Sequence, residues 1–497
     1  MTEMTLQQWR RRAREARRDW PAFIDGAASP AISAKQFPMV DPATGTEWAR
    51  VAACDAADID IAVKSARAAF EDRRWAGLKP RERKAVLLRL AELMREHREE
   101  LALLETLSVG KPIAQALSID LRAAADAIAY YAEACDKVYD SIAPTGDHDV
   151  AMIVKEPVGV VGLVVPWNFP LMMACWKLGP ALAAGNSVVL KPAEQSPLSA
   201  LRLGELAIEA GLPAGVLNVV PGFGETAGKA LGLHPDVDCI AFTGSTEVGK
   251  LFLTYSGQSN MKKVWLECGG KTPNIVMADC PDLDAAVAAA AEGVFFNQGE
   301  MCTSASRLLV DRRIKDQFLE GLKKRTGAWA PGDPLDPATV NGSLVSAGHM
   351  KTVLGYIQSA RDEGAQVAAG GEQVLKETGG AFVAPTLLDK VTPGMKVARE
   401  EIFGPVLSII EFDGEDEAIR IANSTVYGLG AAIWTSNIST AHRMARRVRA
   451  GIVYVNCFDA DDITTPFGGY KQSGIGRDKS LHAIDKYTET KTVWIRI

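Results

Sequence analysis

Phe242-Thr243-Gly244-Ser245-Thr246-Glu247-Val248-Gly249 reads as the end of a strand, a glycine turn and the start of a helix. The backbone amides of a helix start face outward and suit a pyrophosphate. The stretch is not the GxGxxG dinucleotide fingerprint, and taken alone it is equally an ordinary strand-to-helix turn. Its weight comes from what surrounds it. Working outward, short apolar strands are predicted at Val160–Val165, Ser187–Leu190, Leu217–Val220, Cys239–Phe242 and Val264–Leu266. Between them helical patterns run near Ala174–Ala184, Leu198–Ala210, Glu225–Leu231 and Glu247–Ser256. Each strand ends in a turn marked by Gly or Pro: Pro166, Pro192, Pro221-Gly222, Gly244 and Gly269-Gly270. This alternation predicts a parallel sheet covered by helices on both faces, with ligands at the carboxyl ends of its strands.

Further out, Arg83–Leu107 is predicted as one helix with Leu87, Leu90, Met94, Leu101 and Leu104 on one face, ended by Gly110 and Pro112. A second helix is expected over about 120–138. A second alternating region runs from Arg307 to Asn456, with strands near Leu308–Val310, Val406–Phe412, Ala431–Trp434 and Ile452–Val455, and forms a separate α/β layer. The last residues, Lys491–Ile497, alternate like an edge strand and are placed against Val150–Val154 in a small flap. A chain of 497 residues exceeds one ordinary core and implies two or three domains.

Composition narrows the classes. Hydrophobic residues make up 47% and charged residues 23%, the balance of a globular protein, and a net charge of −6 argues against nucleic acid as the main partner. Pro157–Trp176 is uncharged and apolar, but Pro166 and Pro170 would break a spanning helix and Asn168 would be costly in lipid, so a buried strand and turn are expected and no membrane association. The arginines at 10, 11, 12, 14, 17 and 18 are interspersed with Glu15 and Asp19 and read as a solvated helix rather than a presequence. The eight cysteines show no CxxC pair and the six histidines no HExxH motif, so no metal is expected. The thiols are expected reduced, in a cytoplasmic protein.

Four segments can carry chemistry. In Phe295-Phe296-Asn297-Gln298-Gly299-Glu300-Met301-Cys302 a cysteine follows a polar, glycine-containing turn, where a thiolate can attack a carbonyl; a structural cysteine is the plain alternative. Trp265-Leu266-Glu267-Cys268-Gly269-Gly270-Lys271 puts a glutamate at a strand end before two glycines, where a carboxylate can activate water or simply be solvated. Val165-Pro166-Trp167-Asn168-Phe169-Pro170 fixes an asparagine between prolines, able to donate to an oxyanion or to bond its own turn. The fourth is the 242–249 turn.

Together with Lys191-Pro192-Ala193-Glu194, Glu400-Glu401-Ile402-Phe403-Gly404-Pro405 and Pro466-Phe467-Gly468-Gly469-Tyr470-Lys471-Gln472-Ser473-Gly474, these segments resemble the aldehyde dehydrogenase superfamily over nearly the whole chain. The resemblance implies an α/β fold: a Rossmann-like NAD-binding domain (1–139 and 160–270), an α/β catalytic domain (271–470) and a small β oligomerisation flap (140–159 and 483–497). It implies a non-acylating, NAD-dependent oxidation of an aldehyde to its acid, in a homodimer or homotetramer. Cys302 is then the nucleophile, Glu267 the base that activates water, and Asn168 with the Cys302 N–H the oxyanion hole. Lys191 and Glu194 bind the adenosine ribose. Val165, Trp167, Gly224, Gly244, Ser245 and Val248 line the rest of the adenine and pyrophosphate site, and Glu401 and Phe403 hold the nicotinamide ribose and ring.

Other shared stretches, among them Cys175-Trp176-Lys177-Leu178-Gly179-Pro180 and Gly476-Arg477-Asp478-Lys479-Ser480-Leu481-His482, are most similar to bacterial dehydrogenases of polyamine breakdown. Those act on γ-glutamyl-γ-aminobutyraldehyde or 4-guanidinobutyraldehyde. On that resemblance the tunnel is lined by Phe169, Trp176, Phe458 and Phe467. Its acidic mouth, built from Asp461 and Asp462 with Asp120 from a facing helix, selects a distal cation; a solvated acidic loop is the alternative. Cys268 departs from the usual Leu or Ala and is expected either to pack or to trap Cys302 in a disulfide. A broad-specificity aliphatic aldehyde dehydrogenase, a CoA-acylating enzyme and a catalytically silent relative stand as rivals. Glu267 argues against CoA as the acyl acceptor, and the presence of Cys302 and Asn168 against a silent relative.

Overall fold

The computed structural model describes residues 4–497. Five parallel strands form the heart of an eight-stranded sheet, in the order 263–267, 239–243, 160–164, 187–191, 217–219. Antiparallel strands Gly474–Ile475, Ala22–Ile24 and Ala27–Ser29 extend it at its edges. Alternate residues of each strand enter different cores, so the sheet is covered on both faces. Val161 and Leu163 pack with the helices Pro170–Ala184 and Leu198–Glu209, while Val160 and Val164 pack with Ile59, Val63, Leu231 and Phe252. The strand order reverses between 160–164 and 239–243, and a ligand crevice opens at such a reversal. The turns after these two strands are Val165–Asn168 and Gly244–Ser245.

A seven-stranded sheet follows, with order 366–369, 386–389, 406–412, 307–311, 273–276, 430–434, 452–455; all neighbours are parallel except the edge strand Gln366–Ala369. Strand Pro273–Val276 lies inside it, beside the central strand Arg307–Asp311, and has no counterpart in the sequence reading. It follows Gly269-Gly270 at once, so the sequence reads as a loop where the chain passes from one sheet to the next. A three-stranded antiparallel sheet pairs Thr488–Arg496 with Asp149–Pro157, and that strand with Ser141–Ala143. Its pairing brings Lys491 opposite Val154 and Ile495 opposite Val150.

Local readings differ in two places. The single helix expected over 83–107 is two, Pro80–Glu96 and Arg98–Val109, because His97 at ψ 15° breaks the helical run. The second helix, Leu121–Ala134, is entered through a π-turn over Ala116–Asp120. The apolar 157–176 segment is a strand, a turn and a helix start, and among the described residues no helix is long and apolar enough to cross a membrane. The arginine cluster begins in an amphipathic helix, Leu6–Glu15, that buries Trp9.

Candidate active site

A cavity of about 590 Å³ lies between the two large sheets, and Cys302, Glu267 and Asn168 all line it. Each arrives from a different element. Glu267 ends strand Lys263–Glu267 of the first sheet, Asn168 sits in the turn before the Pro170 helix, and Cys302 lies in the loop before strand Arg307–Asp311 of the second sheet.

The turn leading to Cys302 is tightly determined. Asn297, Gln298 and Gly299 take φ of 49°, 57° and 73°, three left-handed residues in succession. The two non-glycine residues are strained there. Side-chain bonds hold them: Asn297 Nδ2 donates to the carbonyls of Asn168 (3.2 Å) and Glu300 (3.1 Å), and Gln298 Oε1 accepts from Gly342 N–H at 2.9 Å. A Cβ on Gly299 would overlap the Gly404 carbonyl, and one on Gly270 the Cys302 carbonyl. Both glycines therefore serve close backbone approach. Asn168 Nδ2 donates to the Glu300 carbonyl at 2.8 Å, which ties the amide to the backbone two residues before the thiol.

Electrostatics hold the thiol at rest. Burial, then the carboxylates of Glu401, Glu267 and Asp459, push the Cys302 thiol well above its usual range. Glu267 is 4% exposed and its Oε2 has no hydrogen-bond partner. Burial and the Asp478 carboxylate hold it well above the usual carboxylate range, while Lys486, Lys177 and Arg477 pull it down. Its Oε1 packs against Gly468, where a Cβ would lie 2.7 Å away. Once ionised, a buried carboxylate without a fixed partner, open to a cavity, is free to accept a proton from water there.

The residues expected to bind the cofactor lie along the crevice. Trp167, Gly244, Ser245, Glu401 and Phe403 line the cavity. Ser245 caps the Thr246–Gln258 helix, accepting from Val248 N–H at 3.2 Å. Val165 is buried behind the turn, and Val248 is exposed on the first helical turn. Lys191 ends its strand with Nζ 3.4 Å from Glu194 Oε2, and Gly224 opens a helical turn with no atom within 4 Å of where a Cβ would stand. Glu401 Oε1 accepts from Gly270 N–H at 3.0 Å, and its carboxylate lies where a Cβ on Gly269 would be. Burial raises that group to about 7, against the opposing pull of the Gly270 amide and Lys271. Phe403, at φ 58°, stacks edge-on against Trp167 at 5.2 Å and accepts from His349 Nε2 at its carbonyl. An open glycine at 224, an anion-ready helix start and an acid–lysine pair fit a dinucleotide whose ribose hydroxyls need an acceptor.

The residues expected to line the tunnel divide. Phe169, Trp176, Phe458 and Phe467 line the cavity, with Phe467 edge-on to Trp176 at 5.2 Å. Asp461 also lines it, but is paired with Lys479. Asp120 does not reach the tunnel: it is fully buried and paired with Lys111, and the π-turn that carries it presents Ile119 to the cavity instead. Asp462 also points away, accepting from Thr464 N–H at 2.8 Å and Thr464 Oγ1 at 2.6 Å to stabilise its own turn. The acids that replace them at the mouth are Glu292 and Asp459. Glu292 had a sequence signal: it is the only charge in Ala285–Phe295, an otherwise apolar helical run. Cys268 lines the cavity, yet its Sγ lies within 2.9 Å of a Cβ on Gly249 and packs among Phe252 and Leu266, turned toward the helix. No group of three or more metal-ligating side chains occurs among the described residues.

The aldehyde dehydrogenase family model matches residues 30–493. The chain belongs to the aldehyde dehydrogenase family. Among its relatives, the NADP/NAD-dependent aldehyde dehydrogenase PuuC of Escherichia coli is 54% identical, covering 96% of this chain and 95% of that one. Two solved aldehyde dehydrogenases superimpose closely. An indole-3-acetaldehyde dehydrogenase bound to NAD+ matches at TM-score 0.99 and 56% identity over 100% of both chains. The γ-glutamyl-γ-aminobutyraldehyde dehydrogenase of Burkholderia cenocepacia matches at TM-score 0.97 and 57% identity, over 99% of this chain and 100% of that one.

Proposed function

We propose that this aldehyde dehydrogenase oxidises aldehydes bearing a distal cationic or amino group to carboxylic acids, with NAD, through a thioester on Cys302. The observation that carries the substrate class is the tunnel mouth. Three carboxylates, Glu292, Asp459 and Asp461, line it, and a single lysine, Lys479, neutralises one of them. Below the mouth the walls are aromatic and apolar, which suits the carbon chain between cation and carbonyl. The Burkholderia enzyme is named for γ-glutamyl-γ-aminobutyraldehyde, an aldehyde with an amino group at its distal end, which supports this reading.

As its thiolate, the Cys302 sulfur adds to the aldehyde carbon, and Asn168 Nδ2 turns toward the developing oxyanion. Gly244, Ser245, Lys191 and Glu194 would hold NAD, which would supply the acceptor for the hydride leaving the Cys302-bound carbon. The thioester left on Cys302 is attacked by water whose proton passes to Glu267, and the acid departs as the thiolate is restored. Water as the acyl acceptor separates this enzyme from CoA-acylating relatives.

A second reading has its own observation. Phe169, Trp176, Phe296, Phe458 and Phe467 with Met172, Met173 and Met301 make an aromatic, adaptable tunnel that accepts neutral aldehydes, as an indole-3-acetaldehyde dehydrogenase does. The test is kcat/KM for 4-aminobutanal and 4-guanidinobutanal against hexanal and indole-3-acetaldehyde. Preference for the cationic pair supports the proposal; preference for the neutral pair favours the second reading. The flap leaves Ile142, Trp494 and Ile497 exposed on an extended antiparallel sheet, which supports assembly as a homodimer or homotetramer. Sedimentation of the purified chain distinguishes the two.

A further inference from the structure

Beside Glu267 lies a buried ion cluster. Lys177 Nζ donates to Asp478 Oδ2 at 2.6 Å, and Lys486 Nζ donates to Asp478 Oδ1. The three side chains are 1%, 4% and 1% exposed for Lys177, Lys486 and Asp478. The site that holds Glu267 Oε1 is also bounded by the Gly476 carbonyl and the Arg477 stem, the residues just before Asp478. Lys486 is fixed through its backbone: its carbonyl accepts from Trp265 Nε1 at 3.0 Å, two residues before Glu267 on the same strand.

One lysine would suffice to pair Asp478. With both lysines protonated the cluster carries one positive charge more than it has negative, in a place where an uncompensated charge is costly; burial favours the neutral form of Lys177, and Asp478 opposes this. Ionised Glu267 is the carboxylate that balances the surplus. We infer that Lys486 is a positioning residue for thioester hydrolysis: with Lys177 it doubly clamps Asp478 and supplies the surplus positive charge that lets the buried Glu267 work as a carboxylate. The groups facing Glu267 are Asp478 and Arg477 from the C-terminal segment, Lys486 and Tyr487 from the Leu481–Tyr487 turn, Lys177 from the Pro170 helix, and the Cys268 and Cys302 thiols. Of these, Lys486, Lys177 and Arg477 favour the charged form, and Asp478 opposes it.

The sign follows directly. Removing a neighbouring cation raises the pH at which Glu267 loses its proton, so the acid limb of deacylation moves up. Removing the neighbouring anion moves it down. The inference rests on Glu267 being the base, and the experiment separates the two. Deacylation is followed as the steady-state rate after the NADH burst, across pH, in the full-length enzyme. Lys486→Met should lower the rate several-fold at neutral pH, move the acid limb up by about 1–3 pH units, and recover at high pH with an unchanged burst amplitude. Lys486→Arg should restore the wild-type limb. Asp478→Asn should move the limb the opposite way, and covers the case in which Lys486→Met does not fold. Limbs that stay in place in both Lys486→Met and Asp478→Asn overturn the inference while leaving Glu267 as base. A Glu267→Gln variant with normal deacylation overturns the reading beneath it.

Discussion

At the scale of single residues, position in the tunnel decides which carboxylate matters. Asp459 stands at the mouth, where the surrounding walls, then Asp461 and Glu292, raise it to about 6, and Lys479 opposes this. The ionised form is the one that attracts a cation, so the attraction is present above that value and fades as pH falls through about 6. The KM for 4-aminobutanal should therefore rise relative to that for hexanal on going from pH 7.5 to pH 5.5, and Asp459→Asn should flatten this difference. Because the mouth is open to solvent, one such pair contributes about 0.2–1 kcal/mol, less than tenfold in KM. Glu292→Gln with Asp459→Asn should add to a larger effect on the cationic aldehyde while leaving hexanal nearly unchanged. Equal shifts for both aldehydes would show the mouth to be plain solvated surface. Glu267→Gln tests the other end of the tunnel. An amide cannot take the proton from water, so a burst of NADH followed by a steady state slowed by roughly 10²–10⁴-fold is expected in stopped-flow absorbance.

At the scale of elements, the Phe296–Gly299 turn is the piece on which the nucleophile depends. Gly299 has φ 73°, and a Cβ there would run into the Gly404 carbonyl. Gly299→Ala should cost about 1–2 kcal/mol from the left-handed backbone alone and displace the Glu300–Cys302 segment. The expected result is a burst amplitude and kcat that fall together, with the far-ultraviolet spectrum retained; full activity would mean the turn has slack that its contacts do not suggest. The same turn illustrates what a sequence can disclose. Glycine at strand ends and before Cys302 is visible, because only glycine permits the close approaches that Gly270 and Gly299 make. The parallel strands were legible for a related reason: short apolar runs closed by Gly or Pro have few other uses. Strand Pro273–Val276 was not, since its neighbours come from residues 307–311 and 430–434 and no local periodicity marks it. The acidic mouth was half legible. Asn456 and Asp459 take φ of 54° and 55°, and such left-handed residues re-aim the chain, so the order of letters does not tell whether Asp459, Asp461 or Asp462 faces inward. Asp120 turns inward because the short helix Ile113–Gln115 and the π-turn Ala116–Asp120 fold it back onto Lys111, nine residues earlier in the loop before them, and no helical or strand spacing marks that return.

At the scale of the whole molecule, the reaction sits on a seam. The groups proposed to grip the cofactor's adenosine and pyrophosphate, Lys191, Glu194, Gly224, Gly244 and Ser245, belong to the eight-stranded sheet, whereas Cys302 and Glu401 come from the segments around the seven-stranded one. Cofactor binding and covalent chemistry are thus separable by mutation. Cys302→Ala should abolish acid formation and leave NAD binding intact. A cofactor that binds only the native state stabilises it by about 2.7 kcal/mol at a hundredfold excess over Kd, and that increment should be the same in Cys302→Ala and wild type by thermal denaturation. Glu194 should behave in the opposite way. Its carboxylate, held beside Lys191, is placed to accept from free ribose hydroxyls and to repel a 2′-phosphate, while Lys191 softens that repulsion. NAD is therefore expected to have the higher kcat/KM, and Glu194→Gln should shrink the thermal shift from NAD and enlarge that from NADP, with acid formation from a saturating aldehyde largely retained once cofactor is raised. A wild type that favours NADP, or a Glu194→Gln enzyme with an unchanged ratio of the two shifts, would remove this carboxylate from cofactor choice and pass the discrimination to the lysine beside it.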